Sequence, residues 1–232
     1  MIFSIHQPNY IPYLGYFYKI LRSDYFVILD AVQYPRGQSY SPRNKIKTPQ
    51  GEIYLTVPVS IPRDRQGKVT YREVSIAGDR WKARHIKTIE MNYKSSPYFG
   101  EVISLYSDII TRDYTDICRL NTELIKAVCD YLGIKTRILY LSDLLDSFGS
   151  KTYLIIDIGK RLNASVYLSG TGGGKDYNDG DLMREHGIEL VYSDFRHPVY
   201  PQLWGEFIPN LSVLDYIFNC GPDLSGISNF RS

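Results

Sequence analysis

Five short apolar runs are spread along the chain: MIFSI, YFVILD, TRILYLS, ASVYLSG and IELVYSDF. Each has the length and the β-branched or aromatic content of a buried strand. Helical patterns separate most of them. Pro12 opens YLGYFYKILRS, Asp79 caps RWKARHIKTIEMNY, and two further helices are predicted over about 100–112 and 114–132, the second stopped by Gly133. Residues 151–163, 179–186 and about 211–219 (opened by Ser212) complete the helical set. Strands alternating with helices point to an α/β fold, a three-layer sandwich around a mostly parallel sheet. The stretch 33–77 departs from that alternation. Its β-rich runs IYLTVPVSI and TYREVSI predict an inserted β-hairpin or small sheet.

In such sheets, ligands gather at the carboxyl ends of the strands. That rule selects four places: His6 with Gln7, Asp30, Ser169 with Gly170, and Asp194 to His197.

SGTGGGKDYND, residues 169–179, carries Ser169 into Gly172 and Gly173, then Lys175 and Tyr177. Glycines let backbone N–H groups approach an anion and a lysine adds charge, although the spacing matches neither a P-loop nor a dinucleotide fingerprint. A flexible turn is the plainer reading. Helical spacing sets Trp81, His85, Thr88 or Ile89, and Asn92 on one face, a polar stripe that suggests a cavity. A hydrogen-bonded core histidine is the ordinary alternative. His197 lies in a loop fixed by Pro198 and Pro201, where either a binding group or a packed crossover fits. His186 precedes a glycine at a helix end and complements its dipole. In RNKIKT, Arg43, Lys45 and Lys47 fall on one face if extended, either as a solvated strand face or as a clamp for phosphate or carboxylate.

Tyrosine is abundant, 21 against 9 Phe and 2 Trp, and suits the wall of a polar pocket. A net charge of +2 gives no argument for nucleic acid or an anionic membrane. Cys118, Cys129 and Cys220 have no metal spacing, and the first two fit reduced core positions. No apolar stretch has the length of a membrane span, and the N-terminal run is broken at His6-Gln7-Pro8, unlike a signal peptide. A soluble, cytoplasmic protein is expected.

The blocks IHQPNYIPYLGYFYKI, RNKIKTPQG, LTVPV, Trp81-His85-Asn92-Tyr93, YLSGTGGGKDYND and HPVYPQLWGEFIPNLSVLDYIFNCGP occur in that order. In them the chain resembles the WbqC-like family over nearly its whole length, so 1–232 is read as a single WbqC-like domain with 33–77 as a β-rich insertion. An extra glycine after Thr171 departs from the family's usual Ser-Gly-x-Gly-Gly-Lys.

The resemblance implies a bacterial transferase of surface-polysaccharide (O-antigen) or nucleotide-sugar biosynthesis, placing an acyl or aminoacyl group on an amino sugar. It implies His6 or His85 as catalytic base. Phosphate would be anchored by the glycine loop and by Arg43, Asn44, Lys45 and Lys47. The small-molecule partner would be a nucleotide sugar or an activated acyl or aminoacyl donor. No cofactor is named beyond such a phosphate-bearing substrate, and the oligomeric state is left open.

YLGY also resembles the His-x-Gly-His turn of nucleotidylyltransferases, with Tyr13 and Tyr16 in the histidine positions around Gly15. That implies a Rossmann-like, nucleotidylyltransferase-like sheet and, as an alternative function, nucleotide binding. Tyrosine carries no charge for phosphate near neutral pH. A non-catalytic scaffold of the same pathway is the third reading. Gln7, Tyr10, Tyr13, Tyr16 and Asp30 complete the expected pocket.

Overall fold

The computed structural model describes residues 1–35, 37, 39–62, 69–172 and 178–228. Among these, β1 (Ile2–His6), β2 (Tyr25–Ile28), β7 (Arg137–Tyr140), β8 (Val166–Ser169) and β9 (Glu189–Tyr192) form one parallel sheet in the order β7-β2-β1-β8-β9. Ranked by chain order within the sheet, the strands run 3-2-1-4-5. The chain winds outward from β1 in one direction and, after crossing back, outward from β8 in the other. The switch point is therefore the gap between β1 and β8.

Both faces of the sheet are covered, which explains the uninterrupted apolar runs. On β2, Phe26 and Ile28 pack into one core with Tyr16, Phe17 and Ile20 of α1 (Leu14–Leu21). Val27 and Leu29 face the other way, onto Leu154, Ile155 and Ile158 of α6 (Thr152–Leu162). The α1 side is much the larger core. It also receives α2 (Arg80–Tyr93), α3 (Phe99–Ile110), α4 (Ile117–Tyr131) and α8 (Val213–Cys220). The short helices α5 (Leu141–Leu144), α7 (Gly180–Glu185) and α9 (Ser225–Ser228) complete the set.

The stretch 33–77 carries two antiparallel pairs: β3 (Arg43–Thr48) with β4 (Gly51–Thr56), and β5 (Val59–Ser60) with β6 (Ser75–Ile76). Its TYREVSI run is not one strand. Residues Tyr71–Glu73 form a 3-10 turn because Glu73 reaches back to the Thr70 N–H at 2.9 Å, a capping box that outcompetes strand pairing.

Two caps also differ from expectation. Asp79 and Ser212 sit at the N-cap positions just before α2 and α8, but neither side chain caps its helix. Asp116 and Asp179 do cap, accepting from Arg119 N at 2.8 Å and Leu182 N at 3.0 Å. Gly133, at φ +71°, follows α4 in the left-handed region that a glycine enters without strain. Among the described residues, no helix is long and apolar enough to cross a membrane.

Candidate functional site

The site is built from the loop that leaves β1. In HQPNYIP the chain turns through Ile11 at φ +36°, a strained value for a β-branched residue. Donors from distant segments hold it there. Asn44 Nδ2 donates to the carbonyls of Tyr10 and Ile11 at 3.2 and 2.9 Å, and Asn121 Nδ2 and Ser41 Oγ both donate to Pro8 O at 2.8 Å. The strained turn fixes where α1 begins and how it faces the switch point. Asn44 thus acts as a clamp on the loop.

At the carboxyl end of β1, the half-buried His6 ring packs against Tyr16 with centroids 4.6 Å apart. His6 Nδ1 lies 3.1 Å from Gln7 O; a carbonyl only accepts, so Nδ1 carries the proton and Nε2 keeps a lone pair. Burial, then the charge of Lys19, pulls this imidazole down to about 3. The Tyr16 hydroxyl donates to Gln7 O at 3.0 Å, and its ring is fully buried. Of the two tyrosines in YLGY, therefore, Tyr16 is committed inward and Tyr13 stays at the surface.

Lys19 completes this end of the sheet, and sequence reasoning missed it. It lies three residues after Tyr16 and four before Ser23, on the inner face of α1, with only 6% of its surface exposed. Its amine donates to Ile5 O at 3.0 Å. Burial pulls that amine down to about 7. The signal was present as helical spacing, but a lysine in such a pattern ordinarily reads as one whose stem lies along the surface with its head in water.

The other strand ends converge here to different degrees. Ser169 is fully buried at the end of β8, where its hydroxyl accepts from Asn178 Nδ2 at 2.9 Å. Among the described residues, a Cβ added at Gly170 or Gly172 would meet nothing within 4 Å. Gly173, Lys175 and Tyr177 lie outside the described residues. After β9, Asp194 accepts a very short hydrogen bond from Tyr18, and Phe195 packs edge-on to Tyr13 at 6.3 Å. The Asp30 carboxylate instead accepts from Ser142 N and Oγ at 3.0 and 2.5 Å, anchoring the start of α5.

Two expected groups are taken up in buried networks. His85 Nε2 lies 3.2 Å from Thr56 O and must donate to it, so Nδ1 accepts from Tyr10 OH at 2.9 Å. With both nitrogens engaged, and burial holding it at about 4, His85 is a neutral link between α2, β4 and the first loop. Trp81 donates to Gly78 O at 3.1 Å, and Asn92 donates to Thr88 O at 2.7 Å while its own carbonyl accepts from Trp204.

The second network centres on Asp215, which is fully buried. It accepts from Tyr93 OH at 2.7 Å, Tyr200 OH at 2.8 Å and Gln202 Nε2 at 2.7 Å. Burial pushes its carboxyl up despite those bonds. Lys47 Nζ reaches the same cluster through Gln202 Oε1 at 3.0 Å. His197 stacks on Tyr200, donates from Nδ1 to Pro198 O at 2.8 Å, and accepts the Asn210 N–H at Nε2 across 3.0 Å.

The basic stripe is therefore divided. Lys47 is buried, Lys45 pairs with Glu52, and Arg43 lies over the Tyr54 ring at 4.8 Å. Two surface hollows lie away from this edge. One of about 580 Å³ is lined by Phe148, Asp157 and Arg161, and one of about 520 Å³ at the amino end of the sheet by Tyr25 and Arg137. Neither gathers the strand-end residues, so the site is placed by topology and side-chain chemistry rather than by concavity.

The model of the WbqC-like protein family matches residues 7–226. An uncharacterized protein of Mycobacterium tuberculosis is 35% identical over 222 residues, covering 95% of this chain and 94% of that relative. No solved structure matches. The chain belongs to the WbqC-like protein family.

Proposed function

We propose that this WbqC-like protein is a transferase acting on a phosphate-bearing sugar or nucleotide substrate in bacterial surface-polysaccharide assembly, moving an acyl or aminoacyl group onto an amino sugar. The reading is supported above all by the switch point between β1 and β8, where His6 presents a free ring nitrogen beside a buried lysine. An acyl transfer to an amine needs a base for the attacking nitrogen and a positive group for the substrate's anion. His6 Nε2 fits the first role; His85, with both nitrogens engaged inside the core, fits a positioning one. Burial first, and the Lys19 charge second, hold the His6 ring below its ordinary range; a bound anion offsets the second of these and shifts His6 upward.

The test is aminoacyl or acyl transfer to amino sugars and their nucleotide derivatives by wild type and His6→Ala. Loss of the general base predicts a fall of about 10²–10⁴-fold in turnover. Full activity in His6→Ala removes His6 from that role.

A second reading, nucleotide binding of the nucleotidylyltransferase kind, is favoured by the 3-2-1-4-5 strand order. Calorimetry with ATP, CTP and UTP, with and without magnesium, decides it, since binding of none of them rules it out.

A further inference from the structure

Lys19 is costly to bury, and its immediate role in the fold does not require a charge. A leucine or methionine at this position fills the same inner face of α1 without desolvating an ammonium. Its one protein partner among the described residues is the Ile5 carbonyl, and no carboxylate there pairs with it. The Nζ lies over the Phe26 ring, 6.0 Å from its centre, at the outer limit of a cation–π contact, and a ring face brings no counter-charge.

The backbone explains why the amine is where it is. The carbonyls of Ile2 and His6 accept from Asp24 N and Leu29 N, both on the β2 side and both at 2.9 Å. Alternation along the strand turns the Ile5 carbonyl toward β8. The ladder between β1 and β8, however, pairs only Ile2 with Val166 and Phe3 with Tyr167. Beyond Phe3 the two strands part, and the Lys19 amine takes the place on Ile5 O that a β8 amide would hold. A lysine head with two further donors thus stands in the switch-point gap. His6 flanks it on one side, Ser169 ends the strand on the other, and Gly170 beyond it is half-buried with room for an added Cβ.

We propose that this gap is an oxyanion-binding pocket, with Lys19 as the charge that receives a phosphate or carboxylate group of the substrate. The oxygens of a phosphate or a carboxylate accept from the further donors of Lys19, and the His6 Nε2 lone pair stays available. The inference rests on placing the site at this edge, as argued above. It does not need the transferase reading, and its test involves no transfer reaction, so either can fail alone.

The test uses the full chain labelled with ¹³C-lysine at fixed pH and ionic strength, titrated separately with inorganic phosphate and with acetate. The Lys19 signal is assigned by its loss in Lys19→Met, or in Lys19→Arg should the methionine variant not fold. A saturable shift of this signal with phosphate, and a calorimetric phosphate affinity at least tenfold weaker in Lys19→Met, identify a phosphate pocket. The same behaviour with acetate alone identifies a carboxylate pocket. A Lys19 signal that moves with neither anion, or a variant that binds as tightly as wild type, overturns the proposal.

Discussion

The Lys19 amine lies 3.0 Å from the Ile5 carbonyl oxygen, at the point where β1 has already parted from β8. A buried amine with no carboxylate partner among the described residues lies at the position where doubly wound folds bind their ligands. The cost of burying this amine can be measured.

Burial lowers the Lys19 amine from 10.5 to about 7. Between those values the unfolded chain holds a proton that the folded chain does not, so this group makes stability rise with pH across that window. Urea unfolding at pH 7 and 9.5 should show wild type gaining on the order of 3 kcal/mol relative to Lys19→Met. Parallel pH profiles for the two proteins would contradict the buried, unpaired state.

His85 is depressed from 6.5 to about 4, mainly by burial. The unfolded chain again binds the extra proton first, so stability contributed by the neutral ring is present above pH 6.5 and lost as pH falls toward 4. Wild type should lose on the order of 3 kcal/mol more than His85→Gln over that interval. The comparison is made by denaturant unfolding at pH 6.5 and 4.5, where most of the difference develops.

Removing the Asp215 carboxylate leaves two tyrosine hydroxyls and the Gln202 amide without their acceptor in a fully buried place. Asp215→Ala should cost about 3–5 kcal/mol, the range for breaking a buried polar network. An unfolding midpoint equal to wild type would show that the network contributes nothing.

Gly15 has ordinary helical geometry, so alanine there gains about 0.5–1 kcal/mol from helix propensity. The added Cβ falls 2.5 Å from the Tyr13 ring, which is 38% exposed and free to swing away. Gly15→Ala should therefore keep or slightly raise the melting temperature while abolishing the proton–proton contact of Tyr13 with Phe195 in NMR spectra. Persistence of that contact would show that the ring accommodates the methyl without moving.

The sheet was legible because its signals are local. YFVILD and ASVYLSG carry their apolar runs within a few residues, and the positions of His6 and Ser169 at the carboxyl ends of their strands could be read the same way. What escaped depends on partners far along the chain. Tyr93 and Asp215 meet across 122 positions, and nothing near either residue announces the other. His85 could be read as base or core residue from its helix alone; only Thr56 and Tyr10, brought in by the hairpin and the first loop, engage both of its nitrogens. Lys19 escaped for a different reason. Its inner-face position was readable, but its burial follows from the parting of β1 and β8, a property of pairing rather than of sequence pattern. RNKIKT reads as one basic stripe, yet its three cations separate because Glu52, Tyr54 and Gln202 each claim one of them.

The central claim, that the ligand's anionic group is received between β1 and β8, is tested most directly by amide hydrogen exchange of the full chain with and without inorganic phosphate. The account predicts slowed exchange in the segment from His6 to Tyr10 and in that from Ser169 to Gly172, with the hairpin strand Arg43–Thr48 unchanged. Slowed exchange confined to the hairpin, or no change at the two strand ends, would contradict it.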